Sequence, residues 1–251
     1  MNHKTAFITG ATSGIGKATA KIFAKNKIQL ILCGRRTDRL AQLKLELGKY
    51  TKVTTLQFDV RDKEATFKAI DSLPFEFQKI DILINNAGNA HGLSSIQDGN
   101  IEDWDAMIDI NVKGLLYVSK AIIPKMVENN RGFVVNIGSI AGKEVYPNGN
   151  VYCASKHAVN ALNKAMRIDL NKHNIRVSAI HPGAVETEFS EVRFKGDKEK
   201  ANNVYKGFDA LQANDIAEII YFVISRPIHV NIEDLIVYPT AQASATILNR
   251  E

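Results

Sequence analysis

Seven strand-like runs recur along the 251-residue chain, several of them continuously apolar, with helical spacing between most of them. They are Thr5–Thr9, Ile28–Cys33, Val53–Phe58, Ile80–Ile84, Gly132–Ile137, Ile175–Ile180 and Leu235–Val237. A strand that is apolar on both sides must be buried on both faces, which marks a parallel sheet held between helices. From Gly14 to about Asn26, Ile15, Ala18 and Ile22/Phe23 share one helical face, and Leu40, Leu43 and Leu47 do the same in Arg36–Leu47. Asp62 is placed as the acidic cap of a helix to about Ser72. Asn100 to about Glu128 reads as one long helix bent near Pro124, Val151–Asn171 as another, and Asn214 as the cap of a helix ending at Ser225. No linker rich in Pro, Gly or Ser interrupts the pattern and no internal repeat occurs, so a single domain over residues 1–251 is expected. The polar, poorly periodic stretch after Pro182 is the exception, and residues 188–210 form a candidate substrate lid.

Composition narrows the class. With 45% hydrophobic and 24% charged residues, collagen-like, disordered and low-complexity chains are excluded. Lys plus Arg number 32 and Asp plus Glu 27, a net charge of +5. That mild excess suits anionic small molecules. No basic stripe with interleaved aromatics accompanies it, so no nucleic-acid partner is expected. The two cysteines, Cys33 and Cys153, are far apart and lack metal spacing. They imply neither a disulfide framework nor a metal site, and Cys153 reads as a small buried packing residue. No charged-then-apolar leader opens the chain, and no apolar run approaches the ~20 residues that span a bilayer. The expected location is the cytosol, with no membrane partner.

The turn Thr9-Gly10-Ala11-Thr12-Ser13-Gly14-Ile15-Gly16 lies between the first strand and the first helix. Gly10 permits a tight exit from the strand, Gly14 lets backbone amides approach a pyrophosphate, and Gly16 allows close helix–sheet contact. The helix N-terminus then presents unpaired N–H groups and a partial positive charge to an anion. A plain strand-to-helix loop with incidental glycines is the alternative.

Glycines at 10, 14 and 16 differ from the G-x-G-x-x-G pattern; this spacing resembles the short-chain dehydrogenase/reductase family. The resemblance extends over nearly the whole chain because further motifs follow in the family's order. Asp59-Val60 resembles its adenine-contacting pair, and Asn85-Asn86-Ala87-Gly88 its NNAG motif. Asn111, Ser139, Tyr152 and Lys156 match its catalytic tetrad, and Pro182-Gly183 with Val185 and Thr187 its nicotinamide-side motif. The resemblance implies a single-domain Rossmann fold: α/β, a doubly wound seven-stranded parallel sheet with helices on both faces. It implies cofactor contacts from Gly10, Thr12, Ser13, Gly14, Ile15 and Gly16, from Asp59, Val60, Asn86, Ala87 and Gly88, and from the Pro182–Thr187 stretch. A homotetramer is implied too, with Asn100–Glu128 and Val151–Asn171 packing on a second subunit and Leu235–Leu248 adding an interface.

In such a fold the end of the second strand reads the adenosine ribose. An acidic residue there accepts from a free 2′-hydroxyl and repels a 2′-phosphate. This chain has Cys33-Gly34-Arg35-Arg36 instead. A guanidinium forms charge-assisted bonds to phosphate and stacks on adenine, so NADP(H) is favoured over NAD(H). Two solvated charges opening a helix are the alternative, although arginines at a helix N-terminus oppose its dipole.

Tyr152 and Lys156 stand four residues apart, hence on one helical face. A positive charge near a tyrosine favours the phenolate, which makes Tyr152 a candidate general base for alcohol oxidation and general acid for carbonyl reduction. Alone, the pair could be two interfacial residues of an amphipathic helix; Ser139 and Asn111 make the set specific. By resemblance, Ser139 bonds the substrate oxygen and the tyrosine, Lys156 also holds the nicotinamide ribose, and Asn111 fixes a water that relays protons to Lys156. An asparagine satisfied in the core is the other reading of Asn111. His181, before Pro182, reads as structural.

The run Glu188-Phe189-Ser190-Glu191-Val192-Arg193-Phe194-Lys195-Gly196-Asp197 resembles a subgroup of NADP-dependent 3-hydroxy acid dehydrogenases, of the serine dehydrogenase and malonic semialdehyde reductase type. The substrate implied is a small 3-hydroxy acid, or the semialdehyde in reverse. Arg193 is then the candidate partner of its carboxylate, unless it is a solvated lid residue or pairs with Glu191. Tyr146 and Asn148 are candidate pocket residues. Glu186, near the cleft, suits an acid site only if it points away. A broad carbonyl reductase of ketones, diketones or sugars would use the same tetrad. A dinucleotide-binding regulator without turnover would need no Tyr–Lys pair.

Overall fold

The computed structural model describes residues 4–251. Seven parallel strands form the sheet: β1 (Thr5–Ile8), β2 (Gln29–Gly34), β3 (Val53–Gln57), β4 (Ile82–Asn85), β5 (Gly132–Ile137), β6 (Ile175–Pro182) and, after a two-stranded ribbon, β9 (Asp234–Val237). Their spatial order is β3-β2-β1-β4-β5-β6-β9. Each of the seven strand-like runs contributes one strand. The side chains alternate between two cores. Ala6, Ile8, Leu30, Leu32, Ile82 and Ile84 face α1 (Gly14–Lys25), α2 (Thr37–Leu47) and α9 (Ala213–Ser225). Phe7, Ile31, Leu83, Val134 and Val177 face α3 (Lys63–Asp71), α5 (Leu115–Glu128) and α6 (Asn150–Leu170). The chain is thus a single-domain, Rossmann-like α/β fold. No helix among the described residues is long and apolar enough to cross a membrane.

Strand order reverses beside β1, where the chain goes first to β2 and β3 and then back across to β4. Loops at the carboxyl ends of the strands diverge there and open a crevice. Its inner edge is the glycine turn. Gly10 has φ +63° and Gly14 φ +49°, the left-handed conformation that glycine tolerates. At Gly16 the constraint is space: a Cβ would stand 2.5 Å from the Gly10 carbonyl oxygen and 2.5 Å from Asn86 Nδ2.

Four expectations need correction. The stretch 100–128 is not one helix bent at Pro124. It is α4 (Ile101–Ile108), a π-helical turn (Asp109–Gly114) and α5, which continues through Pro124. The wider turn adds a residue to the helical circuit without altering composition, so apolar spacing does not reveal it. Helix α9 is capped by Gln212 rather than Asn214, through a capping box in which the Asp215 carboxylate accepts from the Gln212 N–H at 2.7 Å. Helix α2 starts one residue late, with Arg36 as its N-cap. The stretch after Pro182 is not irregular: β7 (Val185–Glu186) pairs with β8 (Leu211–Gln212), and between them lie α7 (Phe189–Arg193) and α8 (Lys198–Asn203). These helices span five and six residues, too short for a periodic signal. Asp197 caps α8, accepting from the Lys200 N–H at 3.0 Å.

Because a backbone oxygen blocks Gly16, Gly16→Ala should cost about 1–3 kcal/mol by overpacking, read as a lower urea midpoint. Lys17→Ala on the exposed face is the control, expected within about 0.5 kcal/mol of wild type. Equal midpoints for the two variants would show that the turn relaxes freely.

Candidate active site

One cleft of about 510 Å³ lies along the carboxyl edge of the sheet. At its cofactor-side end, the turns after β1 and β4 are fastened together. Thr9 Oγ1 accepts from the N–H groups of Asn86 and Ala87, both at 2.8 Å, and Asn86 Nδ2 donates to the Thr9 carbonyl at 2.8 Å. Ser13 caps α1 without a side-chain hydrogen bond, and no acidic residue stands in the first turn, so the helix N-terminus keeps its affinity for an anion. Gly10, Thr12, Ser13, Gly14, Ile15, Asn86, Ala87 and Gly88 border this end, as do Asp59 and Val60. Gly16 lies beneath the surface, as its close packing requires.

Arg35 and Arg36 diverge from the end of β2. Arg35, with 58% of its side chain exposed, stands 3.6 Å from Asp59. Asp59 itself is gripped by Arg61 at 2.7 Å. Burial pushes the Asp59 carboxyl up, but the Arg61 hydrogen bonds and the charges of Arg61 and Arg35 leave it below the usual carboxylate range. Arg36 turns inward. It donates to Thr12 Oγ1 at 3.0 and 3.1 Å and to Ser13 Oγ at 2.7 Å, and pairs with Glu188 at 2.7 Å. Arg39, one helical turn on, holds the other oxygen of Glu188 at 2.6 Å. Sequence reasoning missed Arg39 and Glu188. The i, i+3 spacing of Arg36 and Arg39 on α2 was a usable signal; the approach of Glu188, 152 residues from Arg36, was not.

At the other end stand Ser139, Tyr152 and Lys156. Ser139 follows β5 and caps a short 3-10 turn (Ile140–Gly142), its Oγ accepting from the Ala141 N–H at 3.1 Å. Tyr152, in the first turn of α6, is buried with Ala90, Met107, Ala141 and Cys153, and its ring meets Phe189 at 5.7 Å between centroids. Lys156, one turn later, donates to the Ile137 carbonyl at 3.0 Å and stands 6.0 Å from the centre of the Tyr152 ring. Burial pushes Lys156 down from its ordinary 10.5 to about 8. Burial also pushes Tyr152 up, with Tyr146 adding to the rise and the neighbouring Ser139 hydroxyl and the charge of Arg193 opposing it. The phenolate therefore has to be favoured against desolvation.

Asn111 lies in the π-helical turn, buried and outside the cleft lining. Its carboxamide accepts from the Asn89 N–H at 2.9 Å, donates to the Asn89 carbonyl at 2.9 Å and donates to Ser155 Oγ at 3.0 Å. It thereby clamps the loop after β4 to α6. It also converges with Lys156 above Gly88, where a Cβ would stand 2.9 Å from Asn111 Oδ1 and 3.5 Å from Lys156 Nζ.

Pro182, Gly183, Val185 and Thr187 form the wall opposite the glycine turn. Arg193 enters from α7. Its guanidinium lies 5.6 Å from the centres of both the Tyr146 and Tyr152 rings and donates to Tyr146 Oη at 3.1 Å and the Gly92 carbonyl at 3.2 Å. It is neither fully solvated nor paired with Glu191. Asn148 does not border the main cleft. It stands in a left-handed turn, φ +64°, that carries it to the surface beside a separate cavity of about 20 Å³. Tyr152 and Arg193 border both spaces. Glu186 turns away, accepting from Gln212 Nε2 at 3.1 Å in the small ribbon. Gln242, Leu248 and Arg250 also line the cleft, so the C-terminal stretch is part of its wall.

A reversing parallel sheet with a glycine turn at its switch point, and a tyrosine–lysine pair in the same cleft, defines a Rossmann-type oxidoreductase architecture. Residues 4–198 match the short chain dehydrogenase family, and the chain belongs to it. The NADP-dependent 3-hydroxy acid dehydrogenase YdfG of Salmonella typhi is 46% identical, over 95% of this chain and 96% of its own. Sulfoacetaldehyde reductase 2 of Chromohalobacter salexigens is 44% identical over 97% of this chain and 98% of its own. The closed form of a serine dehydrogenase complexed with NADP+ superposes with a TM-score of 0.93 at 42% identity, covering 98% of this chain and 99% of that one.

The buried ammonium of Lys156 has a measurable cost. Unfolded chains bind the Lys156 proton more tightly than the fold does, so the fold loses stability at pH 7 and regains it as pH rises from 8 towards 10.5. Lys156→Met should therefore stabilise the protein without cofactor by roughly 1–3 kcal/mol at pH 7, after allowing for the lost hydrogen bond. The advantage should narrow by pH 10 in urea titrations. A Met variant less stable than wild type at pH 7 would contradict this electrostatic account.

Proposed function

We propose that this protein is an NADP-dependent oxidoreductase that interconverts a small 3-hydroxy acid and its 3-oxo form, with Tyr152 as the general acid and base. The observation that carries the substrate class is the guanidinium of Arg193 beside Tyr152, 5.6 Å from the ring centre. It sets an anion reader beside the proton-transferring residue, which suits a substrate whose carboxylate lies close to its reacting alcohol. The names of its relatives support this reading, and a sulfonate would suit the same guanidinium.

The residues present fit the dinucleotide. The N-terminus of α1 has no side-chain cap, no carboxylate ends β2, and Arg35, Arg36 (released from Glu188) and the hydroxyls of Thr12 and Ser13 would hold a 2′-phosphate. When bound, the cofactor supplies the hydride acceptor or donor at its nicotinamide ring. Everything else falls to the chain. In alcohol oxidation Tyr152 takes the proton at its phenolic oxygen, and in reduction it returns it. Ser139 Oγ holds the substrate oxygen. Lys156 has no carboxylate partner among the described residues. Its charge is therefore not neutralised by a neighbour and favours a phenolate on Tyr152, whose ring centre is 6.0 Å away. Asn111 keeps α6 and the loop after β4 in register. Residues 188–210 act as the lid. Their hold on the rest of the molecule is visible in the Gly92 N–H to Arg193 carbonyl bond of 2.9 Å and the Lys195–Asp103 pair at 2.9 Å. Assembly as a homotetramer fits the exposed apolar side chains of Leu116 on α5 and Ile168 on α6, and light scattering should give four times the 27.8 kDa chain mass.

The test is an assay with NADP+ or NAD+ across serine, 3-hydroxypropionate, 3-hydroxyisobutyrate and neutral alcohols, with sulfoacetaldehyde in the reverse direction. NADP+ with a 3-hydroxy acid should be best, and Tyr152→Phe should lower kcat by about 10²–10⁴. Arg193→Ala should raise KM for acids by about 10- to 100-fold and leave neutral alcohols within about twofold. Equal losses on acids and neutral alcohols would remove Arg193 from anion recognition. Faster turnover of neutral ketones by wild type would favour the broad carbonyl reductase.

A further inference from the structure

Among the buried side chains that the proposed chemistry leaves unused, His181 is the most constrained. It lies near the end of β6, directly before Pro182, is 0% exposed, and does not border the cleft. Its Nδ1 is 3.1 Å from the carbonyl oxygen of Ser139. Its Nε2 is buried without a hydrogen-bond partner, although Asp234 Oδ1 on β9 is 3.4 Å away. Asp234 is engaged instead by Lys143, which follows the 3-10 turn that Ser139 caps and which donates to Asn160 on α6 at 2.8 Å. The ring occupies the space above Gly138, where a Cβ would stand 2.4 Å from Nδ1.

A neutral imidazole carries one N–H. Two acceptors flank this ring, the Ser139 carbonyl and the Asp234 carboxylate, and only the first meets it with hydrogen-bond geometry. The proton of the neutral ring therefore belongs on Nδ1. Burial keeps the ring neutral down to about pH 4, against the pull of Asp234 and aided by the charges of Lys143 and Lys156. The donor is thus constant over the whole range in which such an enzyme works.

We propose that His181, as the Nδ1–H tautomer, is a positioning residue for Ser139: it holds the Ser139 carbonyl and so fixes the turn from which the Ser139 hydroxyl meets Tyr152. This rests on the reading of Ser139 and Tyr152 as the reacting pair. The same carbonyl accepts from the Gly142 N–H at 2.9 Å inside the 3-10 turn, so His181 supplies the side-chain contact that ties this turn to β6, where the Gly138 N–H donates to the Ile180 carbonyl at 2.8 Å.

The experiment compares wild type, His181→Leu, His181→Asn and Tyr152→Phe. An asparagine amide can donate from about where Nδ1 stands; leucine cannot. His181→Leu should lower kcat on the order of 10- to 100-fold, with NADPH affinity by fluorescence titration within about twofold of wild type. His181→Asn should recover most of the loss. The Leu variant should also show a higher apparent pKa on the pH profile of oxidation, because the Ser139 hydroxyl that favours the Tyr152 phenolate is no longer held in place. In parallel, ¹⁵N-histidine spectra should show an imidazole in the Nδ1–H form that does not titrate between pH 5 and 9. They are recorded in a His157→Gln background, because exposed His157 also sets Nδ1 against a carbonyl. An Nε2–H tautomer, or a Leu variant that turns over like wild type while Tyr152→Phe is inactive, overturns the proposal. If the Leu variant does not fold, the tautomer decides. An active Tyr152→Phe would instead overturn the reading of the reacting pair.

Discussion

Every functional feature here depends on the double coverage of a parallel sheet. Neighbouring parallel strands can only be joined by crossovers, and all of their carboxyl ends emerge on one edge. Residues from the turns after β1, β4, β5 and β6 then meet in one cleft although they are far apart in the chain. The bond from Asn86 to Thr9 and the close fit of Gly16 against the Asn86 side chain tie two of these turns together. The site's precision is therefore inherited from the sheet rather than built loop by loop.

Several of the positive charges along that cleft are each restrained differently. Arg36 and Arg39 share the carboxylate of Glu188, while Arg35 faces Asp59. Lys156 is buried against a carbonyl with no countercharge, which costs stability and leaves its field available to Tyr152. Arg193 is braced by Tyr146 and the Gly92 carbonyl at the far end. The order matches a substrate and cofactor that are both anionic, with the proton-transferring tyrosine between them.

The sheet was legible in the sequence because its strands are short, several are continuously apolar, and helical spacing separates most of them. The glycine turn, Ser139, Tyr152 and Lys156 were legible because close sequence spacing or a strand end placed them. What was hidden depends on three-dimensional approach. The π-helical turn that carries Asn111 leaves no trace in apolar spacing. Helices α7 and α8 are too short and too charged to show a period, and docking rather than propensity holds them. The pairing of Glu188 with Arg36 and Arg39 joins residues about 150 apart in the chain. The left-handed turn at Asn148, which sets it beside the smaller cavity rather than the main cleft, leaves no signal in the sequence either. The contribution of Gln242, Leu248 and Arg250 to the cleft wall likewise follows from how the last residues return to β6 and α8, which the chain order does not reveal.

The central claim is that a hydride leaves the 3-carbon of a small hydroxy acid in the cleft between Arg193 and the cofactor side. The most direct measurement uses 3-hydroxypropionate deuterated at carbon 3, with NADP+ and the purified protein, and mass spectrometry of the reduced cofactor. The account predicts deuterium on the nicotinamide ring of the NADPH formed, together with the semialdehyde. Absence of reduced cofactor, or NADPH without label, would contradict it.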